Sequence, residues 1–443
     1  LQRAKTYGQT TKNPVSWLLS KLKYKATLTI MPIKVLYAAF DVVPSPKGAS
    51  RHITHFTQAL VAEGYEVTLF TAGLPDMPPN GTFAGARILR YCDREENFLR
   101  RALCFGDAVW EHLREVDGAY DVVHFRDVWS GGTALEARRR FGYAYRLLFE
   151  ANGLPSVELK YHYPALRESS SEESSDLPGR LKAQEETLLR HADAIVCVSC
   201  VTAIYLGSRG ASPGRISIIP NGVDAACLKS VNGPPNGRPR LVYVGTLAAW
   251  QGISTLIEAM PIILAAFPEA QLHLIGPAKS RQQKGLLKLA TKLGLSQEEI
   301  RFVGPVPSRE IPEQLRAASV CLAPLAYNDR NVTQGCCPIK VLEYAAAARP
   351  IVASDLPVVR ELLGEGETLF FQPGDATDLA RQVINLLSHP EAAQAMGERA
   401  ARRVRQYFTW ERAGDQLLEV YSDLIRKEAH GRSPAGPPAR GPG

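Results

Sequence analysis

The apolar positions of this chain fall in short runs, and the polar ones in longer periodic stretches between them. Runs at 35–40, 66–71, 87–91, 121–125, 146–149, 194–199 and 216–219 are four to six residues long and mostly apolar. They read as strands buried on both faces, the mark of a parallel sheet covered by helices. Between them, 50–63 and 98–116 carry helical periodicity, the first stopping at Gly64. A Pro- and Gly-rich loop leads into the strand at 87–91. The alternation breaks at a stretch of linker composition, 233–237, and resumes with strands at 241–244, 272–275, 300–303, 320–323, 351–353 and 368–371. Helices are expected at 252–267, 281–293 and 341–348, and from about 376 to 427.

The pattern predicts two doubly wound, Rossmann-like α/β units. The first spans 31–222, joined by a returning helix at about 410–427. A linker covers 223–238 and the second unit 239–409. Residues 1–30 read as a basic extension, with Arg3, Lys5, Lys12, Lys21, Lys23 and Lys25 and no acid. That extension is either a poorly ordered lead or a contact for an anionic membrane surface. Residues 169–176 read as a polar surface loop and 428–443 as a disordered tail. In open α/β sheets ligands bind outside the carboxyl ends of the strands, so two units face to face make a cleft with two half-sites.

Composition narrows the class without naming a function. Hydrophobic residues are 45% and charged residues 22%, an ordinary globular balance rather than a disordered or membrane-spanning one. No apolar run approaches the ~20 residues of a spanning helix. No stretch resembles a secretory signal, so the expected location is cytoplasmic, with peripheral contact on the inner face of a membrane as its extension. The net charge of +7 is dispersed and lacks interleaved aromatics, which gives nucleic-acid binding no support. The eight cysteines are expected to be reduced. Cys197 and Cys200 have no second pair to complete a zinc site. His52 and His55 lack a neighbouring acid in sequence and read as packing or surface residues.

The densest chemistry lies at 336–354. Pro338 suits the first position of a helix, the alanines at 345–348 sustain it and Pro350 ends it. The first turn leaves amides free near Ile339 and Lys340, where an anion is favoured. Glu343, one turn further in, can accept both hydroxyls of a ribose diol. The plainer alternative is an amphipathic surface helix with an ordinary Lys and Glu. In the first unit Gly48, beside Lys47, allows backbone to approach a phosphate. His124 and Arg126 end one strand, and Glu150 and Asn152 end the next, where all four can face the cleft. The plainer alternative is a satisfied histidine and an Arg126–Asp127 pair.

With those elements placed, the ordered series at 192–199, 219–224, 243–247, Gln251-Gly252, 256–259, 302–304, 320–324, 338–354 and 408–410 resembles the group 1 glycosyltransferases of the GT-B fold. The likeness covers about 33–425 and includes a branch reading Pro-x-Lys-x-x-Glu-Tyr, here Pro338, Lys340, Glu343 and Tyr344. It implies transfer of a sugar from a nucleoside-diphosphate sugar to an acceptor hydroxyl with retained configuration. It implies no metal and no cofactor beyond the co-substrate. It also implies a final helix crossing back to the first unit. The acceptor is a glycan, a lipid or a small molecule. Glu343 matches the second of the family's paired glutamates; the first falls on Gly335. The family's diphosphate-binding Arg after Gly245 is here Thr246, and its Lys is here Gln251. Lys340 and Arg330 are the expected replacements, and His124, Arg126 and Lys340 the expected catalytic group. The rival readings are a sugar-nucleotide-binding relative without transfer activity and a sugar-nucleotide epimerase. No strand is followed by the glycine pattern of a dehydrogenase.

Overall fold

In the computed structural model, residues 32–45, 47–162, 176–224 and 237–431 are described, with side chains to residue 426. The basic extension, the polar 169–176 loop up to residue 175, most of the linker and the tail beyond residue 431 lie outside these residues, as does Cys227; residues 428–431, expected in the tail, continue the last helix.

Strands β1 (Lys34–Val42), β2 (Glu66–Gly73), β3 (Asn80–Phe83), β4 (Ala86–Cys92), β5 (Val122–Phe125), β6 (Arg146–Ala151), β7 (Ala194–Cys197) and β8 (Ile216–Ile218) form one sheet. Its order is β3-β4-β2-β1-β5-β6-β7-β8. The second sheet holds β9 (Arg240–Val244), β10 (Gln271–Ile275), β11 (Ile300–Gly304), β12 (Val320–Ala323), β13 (Ile351–Ser354) and β14 (Leu369–Phe371), in the order β11-β10-β9-β12-β13-β14. Every pairing is parallel except β3 with β4.

The helices that matter below are α1 (Gly48–Ala62), α2 (Val128–Phe141), α3 (Pro155–His162), α4 (Cys200–Ser208), α5 (Ile339–Ala346) and α6 (Trp410–Gly431). α1 buries Ile53, Phe56 and Leu60, spaced three and four apart, against the first sheet. α6 does the same with Trp410, Ala413, Leu417, Tyr421 and Leu424, which join the cluster around Ile53 and Phe56. The last helix of the chain therefore packs on the first domain, the GT-B arrangement.

Three expectations are corrected. β3 replaces part of the expected loop before β4: it is polar and exposed, pairs antiparallel at the sheet edge, and has none of the apolar run that marks a central strand. The helical stretch from 376 is three helices, broken at His389 and at Phe408. α5 begins at Ile339 with Pro338 as its N-cap and ends at Ala346. Ala348 turns left-handed (φ 54°), so the alanine run does not carry the helix to Pro350.

The crossing back to the first domain depends on a close backbone approach. Val223 N–H donates to Phe408 C=O at 3.0 Å, and Val223 bridges Thr409. A Cβ on the preceding residue, Gly222, would lie 2.5 Å from the Thr409 carbonyl carbon. Gly222→Ala is expected to cost about 1–3 kcal/mol of unfolding free energy, measured by chemical denaturation. A loss below about 0.5 kcal/mol, the scatter of neutral surface changes, would show that the crossing tolerates the methyl.

Candidate active site

The carboxyl ends of the two sheets face a cavity of about 750 Å³. Two helix starts meet at its floor. α1 begins at Gly48 after Lys47, and α5 begins at Ile339 after Pro338; neither start is capped by a side chain. A Cβ on Gly48 would lie 3.1 Å from Ile339 Cδ1, so the two first turns touch across the cleft. The first amides of a helix have no intrahelical partner, and its dipole is positive at that end. Two such ends pointing into one space make a cradle for an anion.

Lys340, the second residue of α5, adds a cation beside it, although neither Lys340 nor Glu343 is among the residues that line the cavity. Its ammonium donates to Tyr243 Oη at 2.8 Å and to Gln251 Oε1, and lies 4.4 Å over the Tyr243 ring. Tyr243 in turn donates to the Thr246 carbonyl at 2.8 Å. Burial pushes the Lys340 ammonium down to about 7, with Arg330 adding to the effect. A Cβ on Gly245 would lie 3.1 Å from Lys340 Nζ, so glycine leaves the ammonium its space. Glu343, 7% exposed, is paired through Oε1 with Arg51 of α1, across the cleft. Arg51 was not among the expected site residues. Its partner stands 292 positions away, and nothing local marks it.

The expected residues of the first domain separate into two layers. Lys47, Arg126 and Asn152 line the cavity, as do Thr246, Gln251, Arg330 and Ile339 from the second. His124 and Glu150 do not; both are fully buried beneath it. Glu150 accepts from Tyr37 Oη at 2.6 Å, from Arg126 and from Asn152. His124 Nε2 lies 3.1 Å from Glu150, and His52 Nδ1 lies 2.7 Å from it. Burial pushes the Glu150 carboxyl up, but Arg126 and His52 outweigh it and hold the group well below the usual carboxylate range. Burial lowers His124 and His52, against the raising effect of Glu150 beside them. His124 Nδ1 bonds Tyr421 Oη of α6 at 3.0 Å, and its ring stacks on Tyr37. The expectation of a cleft-facing His124 and an acceptor-side Glu150 is thus corrected: a strand-end position gives direction along the strand, not depth. Arg126 pairs with Glu150 and, at 3.8 Å, with Asp41. Asp127 instead caps α2, accepting from Ser130 N–H at 2.8 Å.

His52 and His55 have acid partners after all, from distant segments: Glu150 and, at 2.8 Å, Asp224. Among the described residues no three His, Cys, Asp or Glu side chains gather as a metal site, and the described cysteines are free thiols. No described helix is long and apolar enough to cross a membrane. Gly335 (φ 82°) faces α4, where a Cβ would lie 2.8 Å from Thr202 N–H nitrogen and 3.0 Å from Ser199 Oγ. Side chains reach across the cleft nearby. Asp329 pairs with Lys160 and Tyr161, Arg330 Nε lies 3.1 Å from Glu158, and Leu154 N–H donates to Gln334 Oε1 at 2.9 Å.

Comparison with known proteins agrees with this architecture. The model described as "Glycosyl transferases group 1" matches residues 238–389, and the model described as "Glycosyltransferase Family 4" matches 46–226. The chain is 27% identical to a D-inositol 3-phosphate glycosyltransferase of Thermomonospora curvata, over 87% of this chain and 94% of that one. It is 26% identical to a phosphatidyl-myo-inositol mannosyltransferase of Mycobacterium leprae, over 87% and 95%. In fold it resembles the sucrose-phosphate synthase of Thermosynechococcus elongatus (TM-score 0.71, 21% identity, 89% of this chain and all of that one). It also resembles Anabaena HepE, solved with UDP and glucose (TM-score 0.67, 15% identity, 88% of this chain and all of that one).

The buried carboxylate network can be tested by charge. Glu150→Gln leaves the Arg126 guanidinium without its main counter-charge and is expected to cost roughly 3–5 kcal/mol in denaturant unfolding. A change below about 1 kcal/mol, within the range of surface pairs, would mean that solvent already screens Arg126.

Proposed function

We propose, for a chain that belongs to the group 1 glycosyltransferases, that it transfers the sugar of a nucleoside-diphosphate sugar to an acceptor hydroxyl, with retained configuration and without a metal. The observation that carries this reading is the meeting of two uncapped helix starts at Gly48 and Ile339, with Lys340 beside them and Glu343 one turn deeper. An ion with two adjacent phosphates is matched by such a cradle, and a diol next to it by a carboxylate. In this account the ribose hydroxyls bind Glu343, displacing Arg51 from it. The diphosphate lies on the first amides of α1 and α5 and on Lys340. Those groups stabilise the charge that develops on the leaving phosphate, the task a divalent cation performs elsewhere.

The acceptor approaches from the first-domain wall, past Lys47, Arg126 and Asn152. Its oxygen bonds to the anomeric carbon on the face the phosphate leaves. The C–O bond to phosphate breaks, and the acceptor proton passes to the departing phosphate oxygen. No protein base is needed on that face. Arg126, fixed by the buried Glu150, orients the acceptor side; His124 acts through Glu150 and touches no substrate. HepE was solved with UDP, which makes uridine nucleotides the first donors to examine.

The test is calorimetric titration of sugar nucleotides in the presence of a chelator. Binding and turnover are expected to persist there; activity that returns only with magnesium or manganese would overturn the metal-free account. Glu343→Ala is expected to weaken the donor about tenfold to a hundredfold, the range for lost hydrogen bonds to a charged acceptor. Unchanged affinity would remove the ribose assignment.

The pH dependence follows from Lys340. Only its protonated form attracts the anion, and a bound anion raises its pKa. Donor affinity is therefore full below about 7, where the free lysine is protonated. Above that it falls by up to about tenfold per pH unit until the bound-state pKa is passed. The diphosphate of a sugar nucleotide is a diester and does not titrate in this window. Lys340→Met should give weak, pH-independent binding; a slope that survives the substitution would assign the titration elsewhere.

A further inference from the structure

A nucleoside-diphosphate sugar has hydroxyl-rich groups on both sides of its anion. The proposed ribose site accounts for one side. Two carboxylates line the cavity among the described residues, Asp41 and Glu158. Asp41 lies on the first-domain wall beside Arg126. Glu158 comes from α3 and projects across the cleft. Its carboxylate lies 3.1 Å from Arg330 Nε and accepts from Gln334 Nε2 at 3.2 Å. Both partners precede the start of α5, whereas Glu343 follows it. Glu158 therefore reaches the segment that leads into α5, and Glu343 lies within α5 itself.

Glu158 is held in place by the segment that precedes α5. Arg330 and Gln334 fix it from the second domain. Gln334, fully buried, is itself fixed by the Leu154 N–H at the foot of α3. Gly153 leaves room for it: a Cβ there would lie 2.6 Å from the Glu158 carboxyl carbon. The side chain keeps 23% of its surface exposed. The loop before α5 has no acid of its own to offer at Gly335, where α4 leaves no space for a side chain.

We propose that Glu158 receives the ring hydroxyls of the transferred sugar and sets which hexose the enzyme accepts. The inference rests on the donor reading above. It assigns sugar recognition to the first domain, so the sugar is gripped only when the two domains are together. An isomer with a hydroxyl inverted at the contacted carbon loses its bond to a fixed carboxylate, and the discrimination lies in that loss.

The test compares each sugar nucleotide with its own diphosphate. Wild type, Glu158→Ala and Glu158→Gln are titrated with UDP, UDP-glucose and UDP-galactose, and with GDP and GDP-mannose. Glu158→Ala is expected to weaken the bound sugar nucleotide about tenfold or more, the scale of a bond to a charged acceptor, while the matching diphosphate changes less than about twofold. Discrimination between the glucose and galactose epimers, read as kcat/KM or as hydrolysis of the donor, should collapse with it. Glu158→Gln, which keeps the bond to Arg330, should fall between. Equal weakening of sugar nucleotide and diphosphate would make Glu158 a structural latch and overturn the inference. So would unchanged epimer discrimination, and both outcomes would leave the donor reading standing. A wild-type protein that binds no diphosphate and no sugar nucleotide would overturn the donor reading and this inference with it.

Discussion

How near α1 and α5 come at their first turns decides most of what this molecule can do. The approach needs a residue without a side chain at 48, because Ile339 already stands 3.1 Å from where a Cβ would be. It brings the positive ends of two helix dipoles into one volume, which is unfavourable unless an anion or a fixed counter-charge sits between them. Glu343 and the Arg51 pair supply part of that compensation across the cleft. In the proposed reading the donor's diphosphate supplies the rest.

Holding α1 at that position is the work of the buried layer beneath it. His52, on the first turns of α1, is tied to Glu150 at the end of β6. Glu150 is tied to β1 through Tyr37 and to β5 through His124, and His124 to α6 through Tyr421. Four elements therefore share one carboxylate. Such a network adds little net stability compared with a packed apolar core, but removing one member leaves a buried charge uncompensated. It therefore specifies geometry more than it adds stability. It also presents Arg126 to the cavity with its orientation already fixed.

The fold was legible because strands buried on both faces leave unbroken apolar runs that few other structures produce. β3 was not legible, since an exposed antiparallel edge strand with the sequence Asn-Gly-Thr-Phe carries no such run. Among the candidate residues, the positions of Lys340 and Glu343 at the start of α5 could be read because their geometry is local: a helix start fixes where both side chains emerge. Arg51 and Glu158 could not, because each owes its place to a partner in the other domain, 292 and 176 positions away. His124 and Glu150 were placed at the correct end of their strands but at the wrong depth. Depth is decided by what α6 covers, and the chain reaches α6 last.

The same geometry explains why two cations of the family pattern are missing here. Gln251 accepts directly from the Lys340 ammonium. A lysine at 251 would set two ammonium groups about 3 Å apart, a repulsion of roughly 5 kcal/mol even at an effective dielectric constant near 20. The burial that already lowers Lys340 to about 7 leaves no margin for that. Thr246 lines the cavity, and its backbone carbonyl accepts from the tyrosine on which Lys340 rests. An ammonium at 340 and one at 251 are therefore alternative ways of placing positive charge at one point, and a neutral residue at 251 is what the ammonium at 340 favours.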